Sequence, residues 1–163
     1  MENAVFSLGT NLGDRGANMQ HMEQALCSVL KSPVACSILM ETEPVDVADS
    51  QQWYYNRILS GAYDGTAEQL LVLCQEIEKK LGRERPFSKA PRIADIDILI
   101  FGKNVVATEK LTIPHPALFT RRFCIEGLYN VNKDLVIPGH DRTIKQLYET
   151  MTEEIRSQQI RFL

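Results

Sequence analysis

Two carboxylates lie two residues apart in the most apolar strand-like segment of the chain, RIADIDILIFG at residues 92–102. Side chains two apart on a strand point to the same face, roughly 6 to 7 Å from each other, so Asp95 and Asp97 are expected to point together. Ionised carboxylates this close repel unless they are solvated at an edge or share a cation. Mg²⁺ is the natural candidate, because it commonly combines one or two carboxylates with substrate phosphates.

Basic residues surround this pair along the chain. A D-x-D pair alone is weak support for a metal site, and a basic run is more often a solvated face. Here, however, the cations flank the one strand that carries paired acids, which indicates phosphate and metal together. His115 could equally be a structural histidine and Phe123 a core aromatic. The basic and histidine residues in question are Arg83, Arg85, Lys89, Arg92, His115, Arg121 and Arg122.

The elements that position these residues can be read from hydrophobic periodicity. Strand-like runs cover 4–9, 34–45, 54–65 and the Asp pair's own segment 92–102. An amphipathic helix is predicted from Asn18, and a second from a capping box at Thr66 to Gly82. The apolar face of the first helix comprises Met19, Met22, Leu26, Val29 and Leu30.

This order of elements, β-α-β-β-α-β, predicts a ferredoxin-like α+β fold, an antiparallel sheet with helices packed on one face. Beyond it, GKN and VVA at 102–107 predict a turn and a short return strand, that is, a β-hairpin. Additional helices are predicted at FCIEGLYNV (123–131), despite Gly127, and at TIKQLYETM (143–151), which opens with a second capping box.

Size and composition limit the classes of protein. With 163 residues, 44% hydrophobic and 24% charged, the chain predicts a single globular domain over 1–163. A net charge of −3 gives no general attraction for nucleic acid or an anionic membrane. There is no secretory signal and no apolar stretch of membrane-spanning length, so we expect a cytoplasmic protein. We also expect a monomer.

Cysteine and histidine spacing argues against transition-metal chemistry. The chain has four cysteines without a C-x-x-C pair, and three histidines without an H-x-H or H-x-x-x-H cluster. We therefore expect reduced, mostly buried thiols at Cys27, Cys36, Cys74 and Cys124.

Taken together, six segments give the chain a recognisable pattern. It resembles the family of 6-hydroxymethyl-7,8-dihydropterin pyrophosphokinases over nearly its whole length, from about Val5 to Tyr148. Each segment alone is weak, but P-R-x-x-D-x-D-I-L followed by P-H-P and R-R-F is specific. The segments are LGTNLGDR (8–15), ETEPV (41–45), YYN (54–56), LGRER (81–85), APRIADIDILIFG (90–102) and LTIPHPALFTRRF (111–123).

The resemblance implies transfer of pyrophosphate from ATP to the hydroxymethyl group of a reduced pterin, releasing AMP, in folate biosynthesis. It implies a ferredoxin-like fold with additional helices, small-molecule substrates, and two Mg²⁺ ions on Asp95 and Asp97. Catalytic positions would be Arg85, Arg92, Asp95 and Asp97. ATP-binding positions would be Gln75, Glu78, Arg85, Arg92, Ile98, Lys110, Leu111, Thr112, His115 and Arg121, with Arg83 also near the nucleotide. Pterin-binding positions would be Thr42, Pro44, Val45, Tyr54, Asn56 and Phe123.

Two loops, 43–52 and 82–92, match segments that close over the substrates in the family, and closure would exclude water. Members commonly carry R-W-G where this chain has Ser88, Lys89 and Ala90. The tryptophan that would help to cover the substrates is thus missing, and we hypothesise that Lys89 contacts phosphate instead. No side-chain general base is evident from the sequence.

Three alternatives to this function remain. The first is a ferredoxin-like binding module with a regulatory nucleotide site, and the second is a different Mg²⁺-dependent nucleotidyl or phosphoryl transferase. The segments ETEPV and YYN argue against both, because neither alternative needs them at these distances. The third, a purely structural acidic strand, leaves the basic loop unexplained.

Overall fold

The computed structural model describes residues 1–84 and 86–163, without the side chain of Ser32. Arg85, predicted to be catalytic and to bind ATP, therefore lies outside the described residues. In chain order the elements are β1 (Glu2–Thr10), α1 (Arg15–Cys27), β2 (Lys31–Cys36), β3 (Met40–Thr42), β4 (Tyr54–Tyr63), α2 (Ala67–Lys80), β5 (Asp95–Phe101), β6 (Val106–Ala107), β7 (Thr112–Ile113), α3 (Ala117–Thr120), α4 (Arg122–Asn132), α5 (Ile144–Glu149), α6 (Glu153–Arg156) and β8 (Ile160–Phe162).

A six-stranded antiparallel sheet carries the fold. Its order is β5-β1-β4-β3-β8, and β2 pairs with β4 beside this path. The predicted strand run 34–45 is thus split between β2 and β3, which both pair with the long strand β4. The mixture of helices with an antiparallel sheet confirms the predicted α+β class.

Helices cover both faces of this sheet: α1 and α2, the helices of the predicted β-α-β-β-α-β order, share one face as predicted, and the later helices cover the other. Met22 of α1 and Leu70 of α2 join Phe6 and Leu8 of β1 in one buried cluster. On the opposite face a second cluster combines sheet residues with α3, α4 and α5. Both faces are covered because strand residues on each side are apolar, and those of the second cluster are Val5, Met40, Ile58, Leu99 and Ile100.

An irregularity in β5 changes which face its apolar residues occupy. Val5 pairs with Ile100, but the next residue, Phe6, pairs with Ile98, so β5 has one extra residue at this point. Ile96 and Ile98 pack in the cluster of α1 and α2, whereas Ile100 packs in the opposite cluster. The three isoleucines therefore do not share one face, as they would in a strand with regular alternation.

The helix boundaries show which local signals were reliable. Thr66 and Thr143 both form the predicted capping boxes, and Gly82 follows α2 with a left-handed φ of 87°. The first helix starts earlier than predicted, because Asp14 caps it by accepting from the Ala17 N–H at 3.0 Å. It also ends at Cys27, so Leu30 is buried from beyond the helix.

Close packing explains why α4 contains a glycine. A Cβ at Gly127 would lie 3.1 Å from both Ile58 Cβ and Met40 Cε, closer than neighbouring atoms ordinarily approach. Gly127 therefore lets α4 lie directly against β3 and β4. The helix predicted at 123–131 is confirmed, and Gly127 is one of its buried residues.

The remaining expectations have mixed outcomes. The short strand β6 pairs with β7 in a separate two-stranded sheet and does not join the main sheet. Cys74 and Cys124 are buried, but Cys27 and Cys36 are exposed, so burial is correct for only two of the four thiols. Among the described residues, none of the helices combines the length and apolarity that a membrane span requires.

Candidate active site

Small and polar residues replace the apolar core at one end of the sheet face that α3, α4 and α5 cover. Ser7 pairs with Asp97, and Gly9 pairs with Asp95. Both aspartates line a cavity of about 280 Å³. A Cβ at Gly9 would lie 2.9 Å from Asn56 Oδ1, so the glycine keeps this floor open. The sheet therefore presents the two carboxylates at the base of a pocket.

Asp95 is neutralised by arginine. Arg92 Nη1 lies 2.7 Å from Asp95 Oδ2, and Arg83 Nη1 lies 3.1 Å from Oδ1. Arg83 Nη1 also lies 2.5 Å from Oε1 of Glu78. The Ile96 N–H donates to that same Glu78 oxygen at 2.7 Å, which ties the helix α2 to β5. Asp95 is thus part of an ion-pair network that spans α2, β5 and the 82–92 loop.

Asp97 lacks such compensation. Its one ion contact within residues 1–84 and 86–163 is with His115 Nε2, at 3.7 Å from Oδ1, which is too long for a hydrogen bond. Desolvation, followed by repulsion from Asp95 and Glu78, raises the pKa of Asp97 to about 7. A cation bound at Asp97 would offset this repulsion and the loss of hydration.

The geometry of His115 defines its role. Its Nδ1 accepts a hydrogen bond from the Ala117 N–H at 3.0 Å, so the proton of the neutral ring is on Nε2. Desolvation lowers the pKa of His115, although Asp95 opposes this effect. A neutral imidazole therefore presents an N–H donor toward the pocket near Asp97.

The carboxylates provide hard oxygen ligands, but too few for a complete metal cage. The described residues contain no group of three or more His, Cys, Asp or Glu side chains placed to hold a metal ion. Two carboxylates with the remaining ligands from phosphate and water is an arrangement that suits Mg²⁺. The donor set therefore fits Mg²⁺ when a phosphate-bearing substrate is present.

Three buried guanidinium N–H groups have no hydrogen-bond partner within the described part of the chain: Arg83 Nη2, Arg92 Nε and Arg121 Nε. Buried charged donors without partners are rare because they lose hydration without replacement. Arg92 and Arg121 both line the pocket of the aspartates. These donors are available to an anionic ligand.

The residues assigned to the pterin gather in the same pocket, with two exceptions. Val45, Tyr54, Asn56 and Phe123 line it. Thr42 lines a smaller neighbouring cavity and accepts a hydrogen bond of 2.5 Å from Asn56 Nδ2, which fixes the asparagine amide. Pro44 is absent from the lining of the pocket.

A second cavity, also about 280 Å³, adjoins the first and shares Asp97 and His115 with it. It brings together four of the positions assigned to ATP, namely Ile98, Lys110, Leu111 and Thr112. Gln75 and Glu78 do not line it, and instead flank a separate surface cavity with Lys79 and Arg83.

Sequence reasoning missed several lining residues. Ser7 and Gly9 alternate with the buried Phe6 and Leu8, so the strand pattern could have placed them on the opposite face. Leu71 had no such signal, because it resembles any residue of a helix core.

Two loops meet at the mouth of the first pocket. Lys89 Nζ donates to the Asp46 carbonyl at 2.9 Å, and Gln51 Nε2 donates to the Lys89 carbonyl at 2.8 Å. Asn11, which is buried, donates to the Gln52 carbonyl and accepts from the Arg92 N–H. The 43–52 and 82–92 loops are therefore joined to each other and to the end of β1.

The chain is similar in sequence to a family of pterin pyrophosphokinases. The family model described as 7,8-dihydro-6-hydroxymethylpterin-pyrophosphokinase matches residues 5–133. A Bacillus subtilis protein named 2-amino-4-hydroxy-6-hydroxymethyldihydropteridine pyrophosphokinase is 34% identical over 133 residues, covering 78% of this chain and 77% of its own length. The Pneumocystis carinii folic acid synthesis protein fol1 is 34% identical over 156 residues, and the match covers 93% of this chain but 20% of that protein.

The structural comparison supports the same fold. The crystal structure of Plasmodium falciparum HPPK-DHPS with pteroate superimposes with a TM-score of 0.71 at 16% identity, covering 96% of this chain and 45% of that one. Several similar proteins are thus longer, and the chain corresponds to one part of them.

Proposed function

The chain belongs to the 7,8-dihydro-6-hydroxymethylpterin-pyrophosphokinase family, and we propose that it transfers pyrophosphate from ATP to the hydroxymethyl group of 6-hydroxymethyl-7,8-dihydropterin in folate biosynthesis. In this reaction the hydroxymethyl oxygen loses its proton and bonds to the β-phosphorus of ATP, the bond from that phosphorus to the α-phosphate oxygen breaks, and AMP leaves. The observation that carries the proposal is that Asp97 and His115 lie between two adjoining cavities.

Each cavity suits one substrate. We assign ATP to the cavity of Ile98 and Thr112, whose residues leave the triphosphate next to Asp97. The pterin is assigned to the other cavity, where Tyr54 and Phe123 offer aromatic surface and Asn56 an amide that reads hydrogen-bonding edges. The reacting groups would then meet over the two aspartates.

Positioning and charge neutralisation are the main needs of phosphoryl-type transfer, since it requires little covalent work from the protein. Asp95 and Asp97 would hold Mg²⁺, for which we propose two ions, and the metal would neutralise charge on the triphosphate. The unpaired N–H groups of Arg92 and Arg121 would bind phosphate oxygens, and His115 Nε2 would donate to another. The joined loops would keep water from the activated phosphate.

The architecture supports this assignment. Order β5-β1-β4-β3, with α1 and α2 as the crossovers, is what a ferredoxin-like β-α-β-β-α-β core would give, and we propose that topology with helices added on the second face. We further propose that residues 1–163 form a single domain, that the protein is a monomer, and that it acts in the cytoplasm.

The test is to incubate the purified protein with ATP, MgCl₂ and 6-hydroxymethyl-7,8-dihydropterin and to identify the nucleotide product. AMP formed in equal amount to the pterin diphosphate is expected. ADP would indicate a different phosphoryl transferase. Binding of ATP without any nucleotide product would favour a regulatory nucleotide-binding module, and either result would contradict the proposal.

A further inference from the structure

We propose that Gln158 is a positioning residue for the pyrophosphoryl transfer, acting through the backbone of Arg121. Gln158 lies outside the region matched by the family model, which ends at residue 133. The inference rests on the proposed function, because Arg121 is one of the arginines assigned to the phosphates. None of the residues beyond 133 lines either substrate cavity among the described residues.

Arg121 is a single extended residue between two helices. α3 ends at Thr120 and α4 begins at Arg122, while Arg121 has φ of −109° and ψ of 118°. It occupies the N-cap position of α4, but its side chain makes no capping hydrogen bond. The direction of its side chain therefore depends on the two peptide groups that flank its Cα.

Gln158 binds both of these peptide groups. Its Nε2 donates to the Thr120 carbonyl at 2.8 Å, and its Oε1 accepts from the Arg122 N–H at 2.9 Å. The carbonyl before and the N–H after an extended residue are the groups that a neighbouring strand would bind. Here one side-chain amide replaces the strand. On the other side, the Arg121 N–H donates to the Ala117 carbonyl at 2.9 Å and its carbonyl accepts from the Cys124 N–H at 3.1 Å, so Gln158 completes the set of bonds that fix φ and ψ of Arg121.

The segment around Gln158 is itself firmly attached. We call residues 156–162 the C-terminal strap. Arg122 Nη1 donates to the strap carbonyls of Arg156 and Gln158, at 3.0 and 3.1 Å. The strap includes β8, which pairs with β3. Gln158 is thus anchored to the sheet independently of Arg121, as a positioning group must be.

Rotation of the Arg121 backbone would displace its side chain from its contacts in the pocket. Its guanidinium lies 5.3 Å from the centre of the Phe123 ring, on the wall shared with the pterin side. Its buried Nε has no partner within the described residues and is free for an anion. A change of about 1 Å in such a phosphate-binding group is enough to lower turnover substantially.

The test compares Gln158→Met with Gln159→Met. Methionine keeps the length of glutamine but can form neither amide hydrogen bond, and Gln159 is the exposed neighbour whose side chain makes no hydrogen bond within the described residues. Gln158→Met is expected to lower kcat/KM for ATP about tenfold and to weaken Mg²⁺-ATP binding measured directly by calorimetry. Gln159→Met is expected to match the wild type.

The same change in an Arg121→Ala background separates positioning from general destabilisation. If Gln158 acts through Arg121, Gln158→Met has little further effect on ATP binding once Arg121 is absent. An equal loss in both backgrounds, or unchanged binding in Gln158→Met, overturns the inference. A wild-type protein that binds ATP but forms no AMP refutes the proposed function, while the binding comparison still decides the role of Gln158.

Discussion

Asp95 and Asp97 occupy neighbouring positions on one face of β5, but their surroundings differ. Asp95 is paired with Arg83 and Arg92, whereas Asp97 meets only His115 at 3.7 Å within the described residues. One aspartate therefore contributes to folding as well as to the site. The other has a raised pKa in the absence of a cation, which is typical of a residue kept for binding rather than for stability.

We predict that Asp95→Ala and Asp97→Ala each lower turnover at least a thousandfold, about 4 kcal/mol of transition-state stabilisation. Their stabilities should differ. Asp95→Ala leaves Arg92 without its ion-pair partner and Arg83 with Glu78 alone, and it should cost about 3 kcal/mol in the free energy of unfolding. Asp97→Ala removes repulsion and should cost little. Steady-state AMP formation and urea unfolding measure these effects, with the exposed Asp64→Ala as control. Near-normal turnover in either variant would contradict the metal-binding role.

The raised pKa of Asp97 has a defined effect on stability. Its pKa of about 7 in the folded protein exceeds the ordinary 3.8, so the folded state binds the proton more tightly than the unfolded state. The resulting stabilisation is present below about pH 4 and is lost as the pH rises through 7. With a chelator present, the free energy of unfolding of the wild type relative to Asp97→Asn should fall across this window. A constant difference between pH 4 and 8 would disprove the assignment.

At the scale of elements, each face of the sheet depends on a local adjustment. The extra residue in β5 turns Ile100 to the second cluster, while Gly127 allows α4 to approach β3 and β4 closely. Because α4 begins beside Arg121 and Phe123, its position against the sheet also sets the wall of the pocket.

We expect Gly127→Ala to lower the free energy of unfolding by about 1 to 3 kcal/mol, because the new methyl group would overlap Ile58. Gly16→Ala in α1 is the matched control, since its Cβ would lie 3.6 Å from Asp14 Oδ1, an ordinary contact. There the better helix propensity of alanine should stabilise by about 0.5 to 1 kcal/mol. Chemical denaturation of both variants checks the opposite signs, and stabilisation by Gly127→Ala would refute the packing argument.

Lys89 connects the two loops and remains a predicted phosphate contact. It lines the first pocket, although its Nζ here donates to the Asp46 carbonyl. We predict that Lys89→Ala weakens ATP binding about tenfold, measured by calorimetry with Mg²⁺, while the exposed Lys80→Ala does not. Lys89 has a left-handed φ of 57°, which is equally unfavourable for lysine and alanine. Lys89→Ala therefore changes the side chain without adding backbone strain. Unchanged ATP affinity and turnover would eliminate the hypothesis.

For the whole molecule, ligand binding should be visible as stability. The two cavities, the loops and the C-terminal strap all meet at one end of the sheet, so a ligand there contacts elements distant in sequence. The folded state alone assembles these contacts, and a ligand specific for it stabilises by mass action.

We predict that ATP with MgCl₂ raises the melting temperature, with about 2.7 kcal/mol of stabilisation at a concentration one hundred times its Kd. With ATP and a chelator the shift should be much smaller, because Asp97 and the triphosphate then repel. MgCl₂ alone is the control, and Asp97→Ala should abolish the difference between the two conditions. Differential scanning fluorimetry measures these shifts, and an equal shift with and without Mg²⁺ would exclude a metal-bridged complex.

Much of the fold follows from local patterns in the sequence. A short apolar run identified the strand at 4–9, alternation identified the strand at 54–65, and capping boxes identified the helices after Thr66 and Thr143. These signals are reliable because they depend on backbone geometry within a few residues. The extra residue in β5 and the strand β8 had no local signal, since each depends on pairing with a partner far along the chain.

By itself the sequence determined the chemistry of the site: two carboxylates two residues apart on a strand, with basic segments and a histidine placed around them. Residue type and strand period suffice for that. Tertiary structure alone decided that arginines pair directly with Asp95 but not with Asp97, and that Gln158 binds the backbone on both sides of Arg121. These are contacts between residues distant along the chain, and their electrostatic effect depends on burial and distance, which only the folded arrangement fixes.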